Sequence, residues 1–232
     1  MKSQLDKAFF QELYSGFATP LCELDCGLKC GPYNDYGVPI CCDIHQVIPS
    51  AFNMEWHYLE RNTDLWQPWS AGEAFDPELD EELLDGQVLL MCKGYQECQR
   101  DYRTLTCRAF PFYPYLNSQG EFLGLATYPE FRYGCWILSN LQVVSQDYKS
   151  AFHWAFQQVF ERYPDFRLNF IEYSRCEREN AADENEKVLL LDFTGDVYEV
   201  DPLTEKKYPV QYKDLSAYGP FEITRDLKFS DE

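Results

Sequence analysis

Basic residues are scarce in this sequence, and it has no long hydrophobic run. The chain of 232 residues carries 20 lysine and arginine residues against 39 acidic ones, a formal net charge of −19. Nucleic acids and anionic membranes would repel such a chain, so we expect neither as a partner. The longest apolar runs, at 88–91 and 188–191, fall far short of the roughly 20 residues that span a bilayer.

A secretory signal and the familiar enzyme motifs are also missing. The first ten residues include an acid and lack the apolar stretch of a signal peptide, so we expect a cytoplasmic protein. The chain has no Walker P-loop, no dinucleotide-binding G-x-G-x-x-G, no hydrolase G-x-S-x-G and no metalloprotease H-E-x-x-H. These motifs therefore predict no enzyme class.

Cysteine, in contrast, is abundant. Ten cysteines make up about 4% of the chain, below the roughly 8–10% of small secreted disulfide scaffolds. In a reducing compartment structural disulfides are rare, and dense cysteines usually bind metal or take part in catalysis. We therefore interpret the cysteines as thiolate ligands rather than as disulfides.

Nine of the ten cysteines fall into two groups along the chain, and Cys176 stands apart. Thiolates are soft ligands that select zinc, copper(I) or iron–sulfur clusters, and four of them complete one zinc site or one cluster. Nine thiols therefore predict two sites. Cys41 and Cys42 are adjacent in sequence. Adjacent side chains of an extended segment point to opposite faces, so one member of this pair could serve each site. The predicted metal ligands are Cys22, Cys26, Cys30, Cys41 and Cys42 in the first group and Cys92, Cys98, Cys107 and Cys135 in the second.

The spacing leaves the metal open between iron–sulfur and zinc. The chain has no C-x2-C zinc knuckle and no C-x2-C-x2-C run of the ferredoxin type. An iron–sulfur cluster, of the 4Fe–4S type, is favoured because zinc knuckles are missing and the thiols suffice for two four-cysteine clusters. Such a protein would serve electron transfer, cluster handling or sensing. The alternative is a structural zinc module that binds a partner protein.

Residues beside the cysteines are candidates for supporting roles. Arg108 directly follows Cys107, and we predict that it binds the cofactor by donating to a cluster sulfur, with a surface salt bridge as the alternative. His45 lies three residues beyond Cys42 and could join a mixed site. The aromatic residues that follow Arg108 are predicted either to form a dry shell around the site or to belong to the core: Phe110, Phe112, Tyr113 and Tyr115.

The second group of cysteines resembles a known family. The stretch Cys98-x8-Cys107-Arg108-Ala109-Phe110-Pro111-Phe112 is similar to the C…RPxxCRxFPF signature of the YkgJ-type cysteine-cluster family, to which zinc or iron chelation is ascribed. The resemblance covers roughly residues 22–135 and implies a cysteine-ligated cofactor. Thr104 stands where the family has proline, and the first group is more widely spaced than the family's. A related domain occurs in a flagellin lysine N-methylase, which makes an enzyme of that branch a further alternative.

Periodicity predicts an α+β fold that is mainly helical. Apolar residues recur every three or four positions in 3–17, 50–62 and 139–163, which predicts amphipathic helices, the first ending at Gly16. The cysteine-bearing stretches at 22–42 and 92–107 lack this periodicity, so they predict an irregular, cysteine-rich metal-binding core.

The C-terminal part of the chain changes in composition. An acidic run at 177–187 predicts a linker, and two β-type runs around Thr194-Gly195 predict a small β element. We therefore predict a cysteine-cluster metal-binding domain at 1–176, an acidic linker at 177–187 and a small β-rich C-terminal extension at 188–232. Because the extension has no cysteine, truncation near residue 185 is expected to leave the metal content unchanged.

Overall fold

The computed structural model describes residues 2–69 and 86–222, with side chains from Lys7 onwards, so the last ten residues of the predicted extension lie outside the described residues. The helices are α1 (Lys2–Gly16), α2 (Gly27–Cys30), α3 (Asn53–Asn62), α4 (Leu105–Ala109), α5 (Gln146–Arg162) and α6 (Pro164–Asp183). The strands are β1 (Ser50–Phe52), β2 (Trp66–Pro68), β3 (Gln87–Cys92), β4 (Phe112–Leu116), β5 (Phe122–Thr127), β6 (Val188–Leu191), β7 (Val197–Val200) and β8 (Lys207–Val210). Within the described ranges, no helix combines the length and the apolar character that crossing a bilayer requires.

The two strongest helical patterns are confirmed. α5 begins after Ser145, whose hydroxyl accepts a hydrogen bond from the backbone N–H of Tyr148 at 3.1 Å. It starts later than its pattern predicts, because 136–143 forms two short 3-10 turns. α1 ends at Gly16 as predicted, and a Cβ there would lie 2.2 Å from the ring of Trp154 on α5. The missing side chain therefore lets α1 pack closely on α5.

Two antiparallel sheets complete the architecture, and together with the helices they confirm the α+β class. The larger sheet has the order β4-β5-β6-β7-β8, so its strands pair with their neighbours in sequence. The smaller sheet has the order β1-β3-β2, and β1 takes up the first residues of the segment predicted as a helix over 50–62. α6 packs on α5 and on β4, and α1 contacts both α3 and α5. Cys22, Cys30 and Cys135 belong to the buried core that these elements enclose.

The predicted linker is corrected by the structure. α6 continues to Asp183 and so covers most of 177–187. Its charged residues divide between two faces: Arg175 pairs with Glu172 and Glu179 on the outer face, whereas Arg178 is buried. Charged residues at a spacing of three or four pair along a helix surface, so this polar run extends the helix instead of ending it.

The predicted C-terminal extension is likewise part of the main fold. β6 pairs with β5, with Leu191 opposite Leu125, and β7 and β8 continue the same sheet. The buried Arg178 guanidinium forms an ion pair with Glu205 at 3.0 Å and donates to the Leu116 carbonyl at 3.1 Å. The strands after α6 therefore complete the larger sheet and do not form a separate unit.

Candidate metal centre

A cavity of about 150 Å³ opens beside the smaller sheet, and five cysteines line it. They come from three parts of the chain: Cys41 with Cys42, Cys92 with Cys98, and Cys107. A cavity of this size can hold a group as large as benzene. The fold therefore gathers thiols from both sequence groups around one space.

β3 and the turn after it present two of these thiols. Cys92 is the last residue of β3, and its sulfur accepts a hydrogen bond from the N–H of Gly94 at 3.4 Å. Gly94 has a φ of 103°, which glycine adopts without the steric cost that a side chain would bring. A short 3-10 helix, Tyr95–Glu97, then returns the chain so that Cys98 lines the same cavity.

α4 presents Cys107. The N-cap of α4 is Thr104, whose hydroxyl accepts a hydrogen bond from the Cys107 N–H at 3.1 Å. A threonine cap stabilises a helix start by about 1 kcal/mol, and proline at this position would have no hydroxyl. The departure from the family signature at Thr104 therefore gives this short helix its cap.

Cys41 and Cys42 both line the cavity, which corrects the prediction that they face opposite ways. They lie in a 3-10 turn, Ile40–Cys42, rather than in an extended segment, and their sulfurs are 3.9 Å apart. The contact with Cys41 lowers the pKa of Cys42 to about 7, with a further lowering effect from Arg103. The same contact and burial raise the pKa of Cys41. Cys42 is therefore the stronger thiolate of the pair.

Four of the lining cysteines, Cys42, Cys92, Cys98 and Cys107, are electrostatic neighbours, and we name them the cavity set. Burial, with the charges of the other three thiolates, raises the pKa of Cys107 to about 12 against a lowering effect of Arg103. Burial also raises the pKa of Cys92, with contributions from Cys42 and Cys98. Thiolates destabilise one another and are stabilised by a bound cation, so a metal would favour the ionised form of all four.

Four of the five remaining grouped cysteines, Cys22, Cys26, Cys30 and Cys135, form a second set, which we name the closed set; the fifth, Cys41, lines the cavity beside Cys42. Contact with Cys22, burial, and the neighbouring Cys135 and Cys30 raise the pKa of Cys26. Burial and Cys30 raise the pKa of Cys135 to about 12. These four cysteines are not among the residues that line the cavity. Cys135 thus joins the early cysteines in space, although it follows the late ones in sequence.

Neither set is arranged as a finished single-ion site. Among the residues that the structure describes, no three His, Cys, Asp or Glu side chains stand close enough together to hold one metal ion. A zinc ion draws four sulfurs to about 2.3 Å from itself, whereas the ligands of a 4Fe–4S cluster are held apart by the iron and sulfide between them.

Arg103, rather than Arg108, contacts a sulfur of the cavity set. Arg103 lines the cavity and donates from Nε to the Cys98 sulfur at 3.3 Å. Arg108 donates instead to backbone carbonyls, among them those of Phe17 at 2.7 Å and Asp101 at 2.8 Å. The predicted cofactor contact of Arg108 is thus corrected, because this guanidinium ties the loop before α4 to the end of α1. Sequence reasoning could have found Arg103, since it occupies the arginine position of the family's RPxxC block.

The other sequence candidates lie away from the cavity. His45 stacks on Tyr36 with ring centres 4.6 Å apart, and Cys176 lies on α6 beside Arg175. Of the aromatic run, Phe112, Tyr113 and Tyr115 are buried in the core, which favours the core alternative. The apolar wall of the cavity comes from residues that the sequence did not single out: Ile44, Val47, Pro49, Leu65, Trp66 and Met91.

A buried carboxyl group, Glu55, ties α4 to α3 and α1. Its oxygens accept hydrogen bonds from the N–H of Leu105 at 2.6 Å, the hydroxyl of Tyr14 at 2.6 Å and the N–H of Phe52 at 3.2 Å. Burial raises the pKa of Glu55 to about 7, against the lowering effect of these hydrogen bonds. The first residue of α4, the helix that carries Cys107, is therefore hydrogen-bonded to a carboxyl group with a pKa near neutral pH.

We expect the stability contributed by Glu55 to fall as the pH rises. Its pKa rises from 4.5 to about 7 on folding, so between these values the folded chain keeps a proton that the unfolded chain has released. A difference of about 2.5 pH units corresponds to roughly 3 kcal/mol. Urea unfolding gives the free energy of unfolding of the native chain and of Glu55→Gln, in which residue 55 does not titrate. Between pH 5 and pH 8, the free energy of unfolding of the native chain should fall by about this much relative to that of the variant. A difference between the two that does not change with pH would contradict the raised pKa.

Comparison with models of protein families, with curated proteins and with solved structures found no match to this chain. The resemblance to the YkgJ-type family accordingly stays a prediction, carried by the motif from Cys98 to Phe112.

Proposed function

We propose that this chain is an iron–sulfur protein that holds a 4Fe–4S cluster in the cavity and acts in electron transfer, cluster handling or sensing. The ligands are the cavity set, Cys42, Cys92, Cys98 and Cys107. The observation that carries the proposal is the convergence of these thiols, from three parts of the chain, on one cavity that Arg103 also lines. Four cysteine thiolates are the usual ligands of such a cluster.

The size and the walls of the cavity support a cluster. A space of about 150 Å³ is larger than one ion bound tightly by four sulfurs would leave, and it suits a core of several iron and sulfide atoms. Leu65, Trp66 and Met91 line part of it, and apolar walls limit the access of water and so influence the reduction potential. The hydrogen bond from Arg103 to Cys98 offsets part of the negative charge of the thiolates.

Zinc is the second candidate, and it is favoured at the closed set. Cys22, Cys30 and Cys135 are buried, Cys22 contacts Cys26, and the cavity does not extend between them. Four thiolates with no open position are typical of structural zinc sites. A zinc ion here would tie α2 to the turn that precedes Trp136, and no chemistry would be expected of it.

The test is metal and sulfide analysis of the chain purified without oxygen. We expect iron and acid-labile sulfide at about four each per chain, with broad visible absorption that bleaches on reduction. Zinc, at about one equivalent, would accompany them if the closed set is loaded. A colourless protein that holds only zinc would contradict the iron–sulfur proposal and leave the zinc module in its place.

Replacing Arg103 with glutamine is expected to speed the loss of iron to a chelator by about ten- to a hundredfold, the range typical of residues that hydrogen-bond a metal ligand. The matched control is Arg175→Gln, because Arg175 pairs with Glu172 and Glu179 on the outer face of α6 and does not line the cavity. Loss of visible absorption under anaerobic conditions measures the rate. Equal rates in the two variants would show that Arg103 does not support the cluster.

A further inference from the structure

The 3-10 turn Ile40–Cys42 is a neighbour of both cysteine sets. Its last residue, Cys42, belongs to the cavity set, and its first residue, Ile40, is buried in the core cluster that also holds Cys135. Contact with Cys42 and burial raise the pKa of Cys41, and Cys107 of the cavity set and Cys135 of the closed set both add to the rise. One turn of three residues therefore connects the two proposed metal sites.

Two glycines let the elements of the closed set approach this turn closely. Gly27 begins α2, which carries one closed-set thiol, and a Cβ on Gly27 would lie 2.7 Å from the ring of Pro39, just before the turn. Gly134 directly precedes Cys135, and a Cβ on Gly134 would overlap the side chain of Ile40. The closed set thus contacts the start of the turn from two separate parts of the chain.

A hydrogen bond also joins the turn to the closed set. Burial raises the pKa of Cys30, and the hydrogen bond that its sulfur accepts from the backbone N–H of Ile40 opposes this rise. The same backbone positions the cavity thiol, because the Cys42 N–H donates to the Pro39 carbonyl at 2.8 Å and the Asp43 N–H to the Ile40 carbonyl at 3.1 Å. A movement of Cys30 would therefore act on the backbone that places Cys42.

Zinc binding at the closed set requires such a movement. In the part of the chain that the structure describes, no three His, Cys, Asp or Glu side chains stand close enough to hold one ion, and zinc takes four sulfurs at about 2.3 Å. Zinc would therefore draw α2 and the segment before Cys135 toward each other. Pro39 contacts the first of these elements and Ile40 the second, so the turn is restrained when both are fixed.

We propose that zinc bound at the closed set fixes the Ile40–Cys42 turn and so strengthens the hold of the cavity set on its cluster, with Ile40 as the positioning residue that links the two sites. The inference rests on the proposed iron–sulfur function. Coupling of this kind is reciprocal, so the cluster raises the affinity for zinc by the same factor. A chain that loses its zinc then releases its cluster more readily, which suits a role in cluster handling or sensing.

The first test measures how fast the full chain loses its cluster with and without zinc. The chain is produced with limiting zinc, purified without oxygen and divided into two samples, one of which receives one equivalent of zinc. An iron(II)-selective chelator is then added, and the visible absorption is followed. We expect zinc to slow the loss about fivefold or more, at the lower end of the typical coupling between two sites. Equal rates with and without zinc would overturn the coupling.

Two variants test the part played by Ile40. Ile40→Ala keeps every thiol and the backbone N–H that binds Cys30, but it removes the side chain that contacts Gly134, so the effect of zinc should fall below about twofold. Leu190→Ala is the matched control, since it removes a buried aliphatic side chain of the same size from the separate core cluster of the larger sheet. It should keep the full effect of zinc. The readout is the ratio of the rates with and without zinc, which a general loss of stability leaves unchanged, and equal ratios in the two variants would contradict the role of Ile40.

Hydrogen exchange of the turn gives a readout that needs no cluster. One equivalent of zinc should slow exchange of the Cys42 and Asp43 N–H groups about fivefold or more in the native chain, and should have no effect in Cys135→Ser, which lacks a ligand of the closed set. Equal slowing in Cys135→Ser would place the zinc elsewhere and overturn the proposal. A colourless protein would refute the iron–sulfur function. In that protein, slower exchange with zinc would still support the ordering of the turn, and unchanged exchange would overturn it as well.

Discussion

Cys107→Ser is expected to abolish the visible absorption and to remove most of the bound iron. A hydroxyl is a poor ligand for iron in place of a soft thiolate. If the roughly 10–16 kcal/mol by which four thiolates bind a structural metal is shared among them, one ligand contributes about 3 kcal/mol, or more than a hundredfold in affinity. The backbone around Cys107 should stay in place, because Thr104 still caps α4 and Glu55 still binds the N–H of Leu105. The measurement is iron per chain and the visible spectrum after anaerobic purification.

Cys176→Ser is the control for this result. Cys176 lies on α6 among the surface ion pairs of Arg175 with Glu172 and Glu179, away from both cysteine sets. Its serine variant should keep full iron and full colour. If Cys176→Ser lost the iron and Cys107→Ser kept it, the assignment of the ligands to the cavity set would be wrong.

Truncation after residue 185 is expected to leave a chain that does not fold, which reverses the expectation from the sequence alone. The truncation removes β6, β7 and β8, and with them five buried side chains: Val188, Leu190, Leu191, Val197 and Val200. Loss of one buried leucine costs about 2–5 kcal/mol, so losing two leucines and three valines together is comparable to the whole of the roughly 5–15 kcal/mol that stabilises a domain. It also leaves the buried Arg178 without Glu205, an uncompensated charge that costs about 3–5 kcal/mol. Far-ultraviolet circular dichroism and the yield of soluble protein measure the effect.

A pair of point variants separates this loss of core from a general effect of shortening. Leu190→Ala, at a side chain with no exposed surface, should lower the free energy of unfolding by about 2–5 kcal/mol. Leu203→Ala, at a side chain 83% exposed, should change it by less than about 0.5 kcal/mol. A soluble truncated chain with the native spectrum would show that the last strands are an accessory after all.

The sequence predicted those features that depend on local periodicity or on residue type. The helix α5, the end of α1 at Gly16 and the α+β class follow from apolar spacing, and residue chemistry alone selected the nine thiols as candidates. The prediction of a linker at 177–187 was wrong because it assumed that an acidic run is exposed to water on all sides. One side chain in that run, Arg178, is buried and paired with Glu205, which no local pattern reveals.

The candidate site was harder to predict because its members meet only after packing. Adjacency to Cys107 in sequence favoured Arg108 as the arginine at the site. Its guanidinium donates hydrogen bonds to backbone carbonyls, however, and Arg103 contacts Cys98 instead. The division of the thiols into a cavity set and a closed set also follows from tertiary structure, since Cys135 joins cysteines that precede it by more than 100 residues.

The composition of the closed set has a consequence for the newly made chain. Cys22, Cys26 and Cys30 leave the ribosome well before Cys135, which comes 113 residues after Cys22. At roughly 5–20 residues per second, these early thiols wait on the order of ten seconds for their fourth partner. During that interval they are open to oxidation to sulfenic acid or to disulfides with other thiols. The proposed zinc ion could complete the closed set only after Cys135 has emerged, so the zinc proposal predicts that these early thiols need a reducing environment until then.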